Sequence, residues 1–158
     1  MSDTTTWLTP QAHRKLQDEL RHLETEGRRY IEDRIAEARS HGDLRENAEY
    51  DAAKNEQGMM EARIRKIRHL LEKAEVREAG DSPHAGVGSV VKVTDDGGDE
   101  MEFFIASQEN RVPGYLLASP DGPLGQALMG AAPGDTVTYE APGGTFSYTV
   151  TEVRPFDG

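Results

Sequence analysis

The chain has 158 residues, of which 29 are acidic and 18 basic, giving a net charge of −11 at neutral pH. This acidity disfavours a protein that wraps bare nucleic acid by neutralising phosphates, so we expect a protein partner and no sequence-specific DNA binding. Cysteine is absent, which excludes disulfides and thiolate metal sites. Residues 1–6 are polar, and no apolar run reaches the roughly 20 residues that a bilayer requires. The sequence therefore predicts a cytoplasmic protein with no membrane partner.

The first predicted element is a long helix. Thr9 is a suitable N-cap, and Pro10 follows at the first helical position, where its missing N–H costs nothing. Gly27 is expected to weaken the middle of the helix, because glycine is a poor helix former. Apolar or small residues recur along it at helical spacing, with one heptad step stretched, at Leu16, Leu20, Leu23, Gly27, Ile31, Ile35 and Ala38.

A second helix follows with an even more regular pattern. Spacings of four and three residues alternate along it, which is the signature of a coiled-coil seam. A polar, glycine-containing turn at residues 40–43 separates the two helices, so we expect them to fold back on each other as an antiparallel coiled-coil hairpin with the turn as its tip. A hairpin that pairs with itself needs no second chain, which predicts a monomer. The seam positions are Ala53, Gln57, Met60, Ile64, Ile67, Leu71 and Ala74.

The sequence changes character near Ala79, where the helical pattern is predicted to end. Residues 80–86 are rich in turn formers and are interpreted as a linker between a hairpin domain, residues 1–79, and a second domain, residues 87–158. The second domain is predicted to be a small α+β unit with a mainly antiparallel sheet and one short helix at Leu124–Gly130. Its predicted strands are Ser89–Thr94, Met101–Ala106, Tyr115–Ser119, Thr136–Glu140 and Thr145–Val153.

Charge distinguishes the two halves. Residues 1–77 carry 15 basic and 16 acidic residues, whereas residues 78–158 carry 3 and 13. Interleaved charge is typical of exposed long helices. The acidic second half is explained either by solubility or by a basic partner surface.

The predicted tip holds two carboxylates three residues apart, Asp43 and Glu46. One explanation is structural, because Asp43 can cap the second helix and Glu46 can close a capping box. The other is chemical, because one helical turn places both carboxylates on the same side, where their oxygens can reach a single Mg²⁺ or its bound water. The position of the pair at the far end of the hairpin favours contact with a partner.

Several stretches resemble the bacterial Gre transcript cleavage factors, and the GreA type in particular. The tip stretch GDLRENAEYDAAKNEQG, with the preceding EARSH, resembles that family's tip signature. LTPQAHRKLQDELRHLE resembles its first helix and EARIRKIRHLLEKAEV its second. SPDGPLGQALMGAAPGDTVTYEAPGG resembles part of its C-terminal domain, so the resemblance covers nearly the whole chain.

The resemblance implies a transcription elongation factor with two domains. Its coiled coil would enter the secondary channel of bacterial RNA polymerase, and an FKBP-like domain would hold the rim of that channel. Asp43 and Glu46 correspond to the tip acids of the family, which are thought to hold the weakly bound second Mg²⁺ of the polymerase and to orient the attacking water. Such a factor is not itself an enzyme and holds no cofactor alone, but it stimulates hydrolysis of backtracked RNA by the polymerase.

The resemblance also implies roles for neighbouring residues. Gly42, Asn47 and Tyr50 belong to the tip signature and are interpreted as support for the turn. Arg39 and Lys54 match a basic patch that is a candidate contact for the 3′ end of the extruded RNA, although the family more often has arginine at position 54. A solvated helix face explains both cations equally well.

Three alternatives remain open on the sequence. A factor of the same architecture could block the channel without promoting cleavage, although retention of both tip acids argues against this. The FKBP-like fold suggests a prolyl isomerase, but a fold alone is weak support and no aromatic-lined pocket is evident. The third alternative is a coiled-coil adaptor whose tip acids only cap a helix.

Overall fold

The computed structural model describes residues 5–41 and 44–157, without the side chains of residues 41–47. They form two compact units, one of residues 13–74 and one that combines residues 5–12 with residues 75–157. We call these the helical unit and the sheet unit. Together they confirm the predicted mixed α+β class. Residues 5–12 belong to the sheet unit, although they precede the helical unit in the chain. Within the described residues, no helix is both long and apolar enough to cross a membrane.

The N-terminal helix begins as its sequence predicts. Helix α1 spans Pro10–His22, and the Thr9 hydroxyl accepts a hydrogen bond of 3.0 Å from the backbone N–H of Ala12. A π-helical turn, Leu23–Gly27, follows, and helix α2 spans Arg28–His41. Helix α3, Leu44–Glu72, has 29 residues and is about 43 Å long at 1.5 Å per residue.

The apolar stripes of both long helices are confirmed as the buried faces of the helical unit. Every stripe position is either buried or half-buried, although Ala74 lies in a strand and not in the second helix. Ile64 and Ile67 are fully buried, and Ile31 and Ala53 are nearly so. At roughly 25 cal/mol per Å² of apolar surface, burial of these side chains is the main stabilising contribution within this unit.

The stretched step in the first stripe coincides with the π-helical turn. A π-helical turn accommodates an additional residue, so the apolar positions before and after it stay on the same side. The Thr25 hydroxyl donates a hydrogen bond of 2.7 Å to the carbonyl of Arg21 and occupies an acceptor within this distorted stretch. Gly27 ends the turn, and a Cβ at this position would lie 3.1 Å from the Sδ of Met60. Glycine therefore permits a close approach to α3.

Ion pairs connect α3 with the helical segments that precede it. Arg28 binds both carboxylate oxygens of Glu61 at 2.9 Å, and Arg34 pairs with Glu56. The later residue of α2, Arg34, pairs with the earlier residue of α3, Glu56, so these helices run antiparallel. Nearer the N-terminus, Arg63 binds Glu19 through two hydrogen bonds of 2.7 and 2.8 Å, and Arg68 pairs with Glu24.

The sheet unit contains a five-stranded, mainly antiparallel sheet, as predicted. The strand order is β5-β4-β3-β7-β6, and only β4 and β5 are parallel neighbours. A bulge between Lys92 and Val93 interrupts the pairing of β3 with β7. The strands are β3 (Ser89–Thr94), β4 (Glu100–Ile105), β5 (Leu116–Ala118), β6 (Thr136–Ala141) and β7 (Gly144–Pro155), and the short helix α4 is Pro123–Leu128.

Both faces of this sheet carry apolar clusters, because successive strand residues point to opposite sides. On one face, Val91, Phe103 and Ile105 pack with Leu128 of α4. On the other, Val90 and Phe104 pack with Trp7 from the N-terminal segment. The ring centroids of Trp7 and Phe104 are 6.1 Å apart in an edge-to-face arrangement.

Asn110 fastens the N-terminal segment to the sheet unit. Its side chain is 1% exposed; it accepts a 2.9 Å hydrogen bond from the N–H of Thr9 and donates one of 3.0 Å to the carbonyl of Trp7. These bonds satisfy two backbone groups that would otherwise be buried without a partner.

The prediction that the second helix continues to about Ala79 was wrong. Helix α3 stops at Glu72, and strand β2, Ala74–Val76, forms a two-stranded sheet with β1, Thr6–Leu8. The backbone N–H of Arg77 also donates to the carbonyl of Leu8. Pairing with a distant extended segment therefore outweighs the helical spacing of these residues.

Candidate functional site

The predicted site lies between the end of α2 and the start of α3. Asp43 and Gly42 fall outside the described residues. Glu46 and Asn47 lie in the first turn of α3, although their side chains are not described. The roles of all four residues therefore stay predictions. The predicted donors are carboxylate oxygens, and these are the ligands that Mg²⁺ prefers.

Among the described side chains, no cluster of three or more histidine, aspartate or glutamate residues is suited to a metal ion. Asp43 and the side chain of Glu46 lie outside the described part of the chain, so this finding has no bearing on the predicted pair.

Tyr50 is the described residue that joins the tip region to the core of the helical unit. It lies two turns into α3, and its ring packs against the buried cluster of Ile31, Ile35 and Ala53. The ring is half-buried, which leaves the phenol oxygen available for polar contacts. A tyrosine here can fix the start of α3 against α2.

Arg39, near the end of α2, contacts that phenol. Its guanidinium donates a hydrogen bond of 3.4 Å from Nη2 to Oη of Tyr50, and its Cζ lies 5.5 Å from the centroid of the ring. The second distance is in the range of a cation–π interaction. This hydrogen bond, together with the positive charge of Arg39, lowers the pKa of Tyr50.

Lys54, one turn beyond Tyr50, brings a second cation to the same place. Its positive charge also contributes to the lowered pKa of Tyr50. Its Nζ donates a hydrogen bond of 3.1 Å to Oε1 of Gln57. The structure thus brings together Arg39, Tyr50 and Lys54, the three described members of the predicted site.

The pairing of Arg39 with Tyr50 was not anticipated from the sequence. The two residues are eleven positions apart and lie on different helices, and no motif indicates which rotamer an exposed arginine adopts. The available signal was the hairpin register, in which residues on either side of a turn face each other. That register predicts proximity but not a specific bond.

The sheet unit has a groove at the edge formed by β4 and β5. This groove has a volume of about 600 Å³ and is open to solvent. Three of its side chains are charged, and Tyr115 is its aromatic member. Its lining comprises Lys92, Glu100, Met101, Glu102, Gly114, Tyr115 and Leu116. One aromatic side chain among seven lining residues does not make an aromatic-lined pocket, so this groove gives the prolyl isomerase alternative no support.

Comparison with known proteins assigns the chain to a class. Residues 6–76 match the family described as "Transcription elongation factor, N-terminal", and residues 81–155 match "Transcription elongation factor, GreA/GreB, C-term". These matches cover both units along the sequence. They define the chain as a transcription elongation factor.

The relatives specify the family. The chain is 46% identical to transcription elongation factor GreA of Saccharopolyspora erythraea, with all of both chains covered. It is 42% identical to the GreA of Streptomyces coelicolor, with 99% of this chain and 98% of the relative covered. This chain belongs to the GreA/GreB family of transcription elongation factors.

A solved structure was also matched. The GreA factor homolog 1 (Gfh1) protein of Thermus thermophilus is 26% identical, and the match covers 95% of this chain and 99% of that one with a TM-score of 0.45. The known role of the GreA/GreB family is to stimulate RNA cleavage through the secondary channel of RNA polymerase. Its members act on the polymerase rather than catalysing the reaction themselves.

Proposed function

We propose that this chain inserts its helical unit, as a coiled-coil hairpin, into the secondary channel of bacterial RNA polymerase and stimulates cleavage of backtracked RNA. The sheet unit, as an FKBP-like domain, binds the outer rim of the channel. The factor acts as a monomer in the cytoplasm, and it requires no sequence-specific contact with DNA. The match of both halves of the chain to the family carries this proposal.

The chemical contribution of the chain is a pair of carboxylates. Asp43 and Glu46 add oxygen ligands beside the polymerase active centre, where a second Mg²⁺ is otherwise held weakly. In two-metal hydrolysis of a phosphodiester, one ion activates water and the other stabilises the leaving oxygen. Asp43 and Glu46 raise the occupancy of the second Mg²⁺ and hold the attacking water in place, so hydrolysis depends on the polymerase and the factor together.

The organisation of the helical unit supports this role. A 29-residue helix with a buried seam and flanking ion pairs is a stiff support for a small group at its end. Arg39 and Lys54 place positive charge close to that end, where an RNA 3′ end would carry negative phosphates. The acidic tip and the nearby cations thus suit different parts of one substrate, the metal site and the RNA backbone.

The deciding experiment measures transcript cleavage in stalled, backtracked complexes of the homologous polymerase, with and without the purified factor. Asp43→Asn keeps a good N-cap but weakens metal ligation, so we expect an unchanged melting temperature and a loss of stimulated cleavage of about 100-fold. Asp51→Asn, the same change at an exposed position of α3, is the control.

Each outcome distinguishes one interpretation. Normal cleavage with Asp43→Asn would return the tip acids to a purely structural role. Slower RNA synthesis with an intact RNA 3′ end, for the unmodified factor, would identify a channel-blocking inhibitor instead.

A further inference from the structure

The cations of the predicted basic patch differ in what they contact. Arg39 directs its guanidinium onto Tyr50, through both a hydrogen bond and a ring contact. The described hydrogen bond of Lys54 is with Gln57, one turn further along the same helix. Arg39 therefore links two helices, whereas Lys54 makes a contact within one.

Tyr50 connects Arg39 with the buried core of the helical unit and with the start of α3. Tyr50 packs against the buried cluster that Ile31, Ile35 and Ala53 form between α2 and α3. In helical geometry, Tyr50 is also one turn after Glu46, on the same side of α3. A guanidinium that holds the Tyr50 ring thus holds the helix face on which Glu46 is carried.

We propose that Arg39 is a positioning residue, which clamps Tyr50 and so fixes the first turns of α3 against the end of α2, while Lys54 is the cation that faces the RNA. This assignment rests on the proposed function and deepens it, because it divides the basic patch into one positioning residue and one RNA-contacting residue. The planar guanidinium suits the first role, since it can stack on a ring while donating to a hydroxyl.

The alternative is that both cations contact RNA phosphates directly. In that case Arg39 would release Tyr50 in the complex, and its contribution would depend on charge alone. Lysine would replace it well, and removal of Tyr50 would leave its contribution unchanged. The two assignments therefore differ in coupling to Tyr50, and this coupling can be measured.

The experiment is a double-mutant cycle that combines Arg39→Gln with Tyr50→Leu, with stimulated cleavage measured over a range of factor concentrations. We expect Arg39→Gln to lower the maximal cleavage rate about three- to tenfold when position 50 is tyrosine and less than about twofold when it is leucine. The half-saturating concentration should change little, because the sheet unit supplies the proposed rim contact. Arg39→Lys should restore only part of the lost rate.

Lys54→Gln is the matched control. It removes a cation from the same patch, and we expect the same fold loss whether position 50 is tyrosine or leucine. Equal losses for Arg39→Gln in the two backgrounds, or full rescue by Arg39→Lys, would overturn the positioning role.

Hydrogen exchange of the backbone amides at residues 48–53 tests the clamp without the polymerase. Arg39→Gln and Tyr50→Leu should each speed exchange, and the double variant should add little to Tyr50→Leu alone. Unchanged exchange in Arg39→Gln would contradict the clamp even if that variant cleaves more slowly. Absence of stimulated cleavage by the unmodified factor would instead contradict the proposed function.

Discussion

The two units of this chain are stabilised in opposite ways. The helical unit repeats one local pattern, an apolar seam with ion pairs beside it, over many turns. The sheet unit depends on partners that are distant in sequence, such as Trp7 on Phe104 and Asn110 on Thr9. The first arrangement suits a rod that carries a group at its end, and the second suits a compact platform.

Charge follows the same division. In the helical unit, acidic and basic side chains alternate and pair across the helices, so little net charge remains. The sheet unit is strongly acidic, and its ion pairs include Arg154 with Glu102 at 2.7 Å. The hydrogen bond with Glu102 raises the pKa of Arg154. Because the two units are stabilised by different interactions, we expect a substitution in one unit to destabilise mainly that unit.

The largest expected effect comes from the seam. Ile64 is fully buried, and Ile64→Ala should lower the free energy of unfolding by about 3 kcal/mol, because it removes apolar contacts and leaves a cavity. Urea unfolding, combined with hydrogen exchange resolved by residue, measures the loss and locates it in residues 13–74. Met59 is 67% exposed, so Met59→Ala should stay within about 0.5 kcal/mol. Equal effects of the two substitutions would contradict the assigned seam.

An intermediate effect is expected from the buried amide of the sheet unit. Asn110→Ala leaves the N–H of Thr9 and the carbonyl of Trp7 without partners, which should cost about 2 kcal/mol. In this variant, the rate of hydrogen exchange should increase more at residues 5–12 than in the helical unit. Asn55→Ala, on an exposed helix face, provides the control. Unaltered exchange at residues 5–12 would show that Asn110 does not hold this segment.

The smallest effect is a pH dependence of the helical unit. Hydrogen bonds from Arg63 and Arg28 lower the pKa values of Glu19 and Glu61 below the ordinary value of 4.5. Below pH 4.5, the two carboxylates bind more protons in the unfolded chain than in the folded one. The stabilisation by these pairs is therefore fully present above pH 4.5 and is lost as the pH falls through the pKa values of the folded state. The effect is small, because solvent screens such exposed pairs.

Thermal unfolding between neutral pH and pH 3, which is roughly the acid limit of carboxylate titration, measures this contribution. The double variant with Glu19→Gln and Glu61→Gln should show a flatter decrease in melting temperature than the unmodified chain. Glu72→Gln, at an exposed position, is the matched control. Identical pH profiles for the double variant and the unmodified chain would exclude these pairs as the source.

Local patterns explain which parts of the fold could be predicted. The alternation of apolar residues identified both seams, and Thr9 with Pro10 identified the start of α1, because these signals act within a few residues of each other. Strand β3 was predicted with its observed bounds, since a short run rich in β-branched residues lies between glycine-containing turns. Each of these features is encoded where it occurs.

Long-range pairings were not predictable in the same way. Strands β1 and β2 are three residues each and lie far apart in sequence, so neither shows a pattern of its own. The parallel pairing of β5 with β4 and the hydrogen bonds of Asn110 depend on the folded arrangement. At the site, the sequence identified Arg39, Tyr50 and Lys54, but only the packing of helices showed that Arg39 contacts Tyr50. The chemistry of Asp43 and Glu46 stays a prediction.

The π-helical turn at Leu23–Gly27 has a consequence for how the chain tolerates changes in length. Loss of one residue within this turn would leave a regular α-helix whose two halves still present the same side to α3. Loss of one residue between Ile31 and Ala38 would instead rotate the following segment by about 100° and turn its apolar side towards water. A single-residue deletion in this helix is therefore expected to be tolerated at the π-helical turn and not between that turn and the tip.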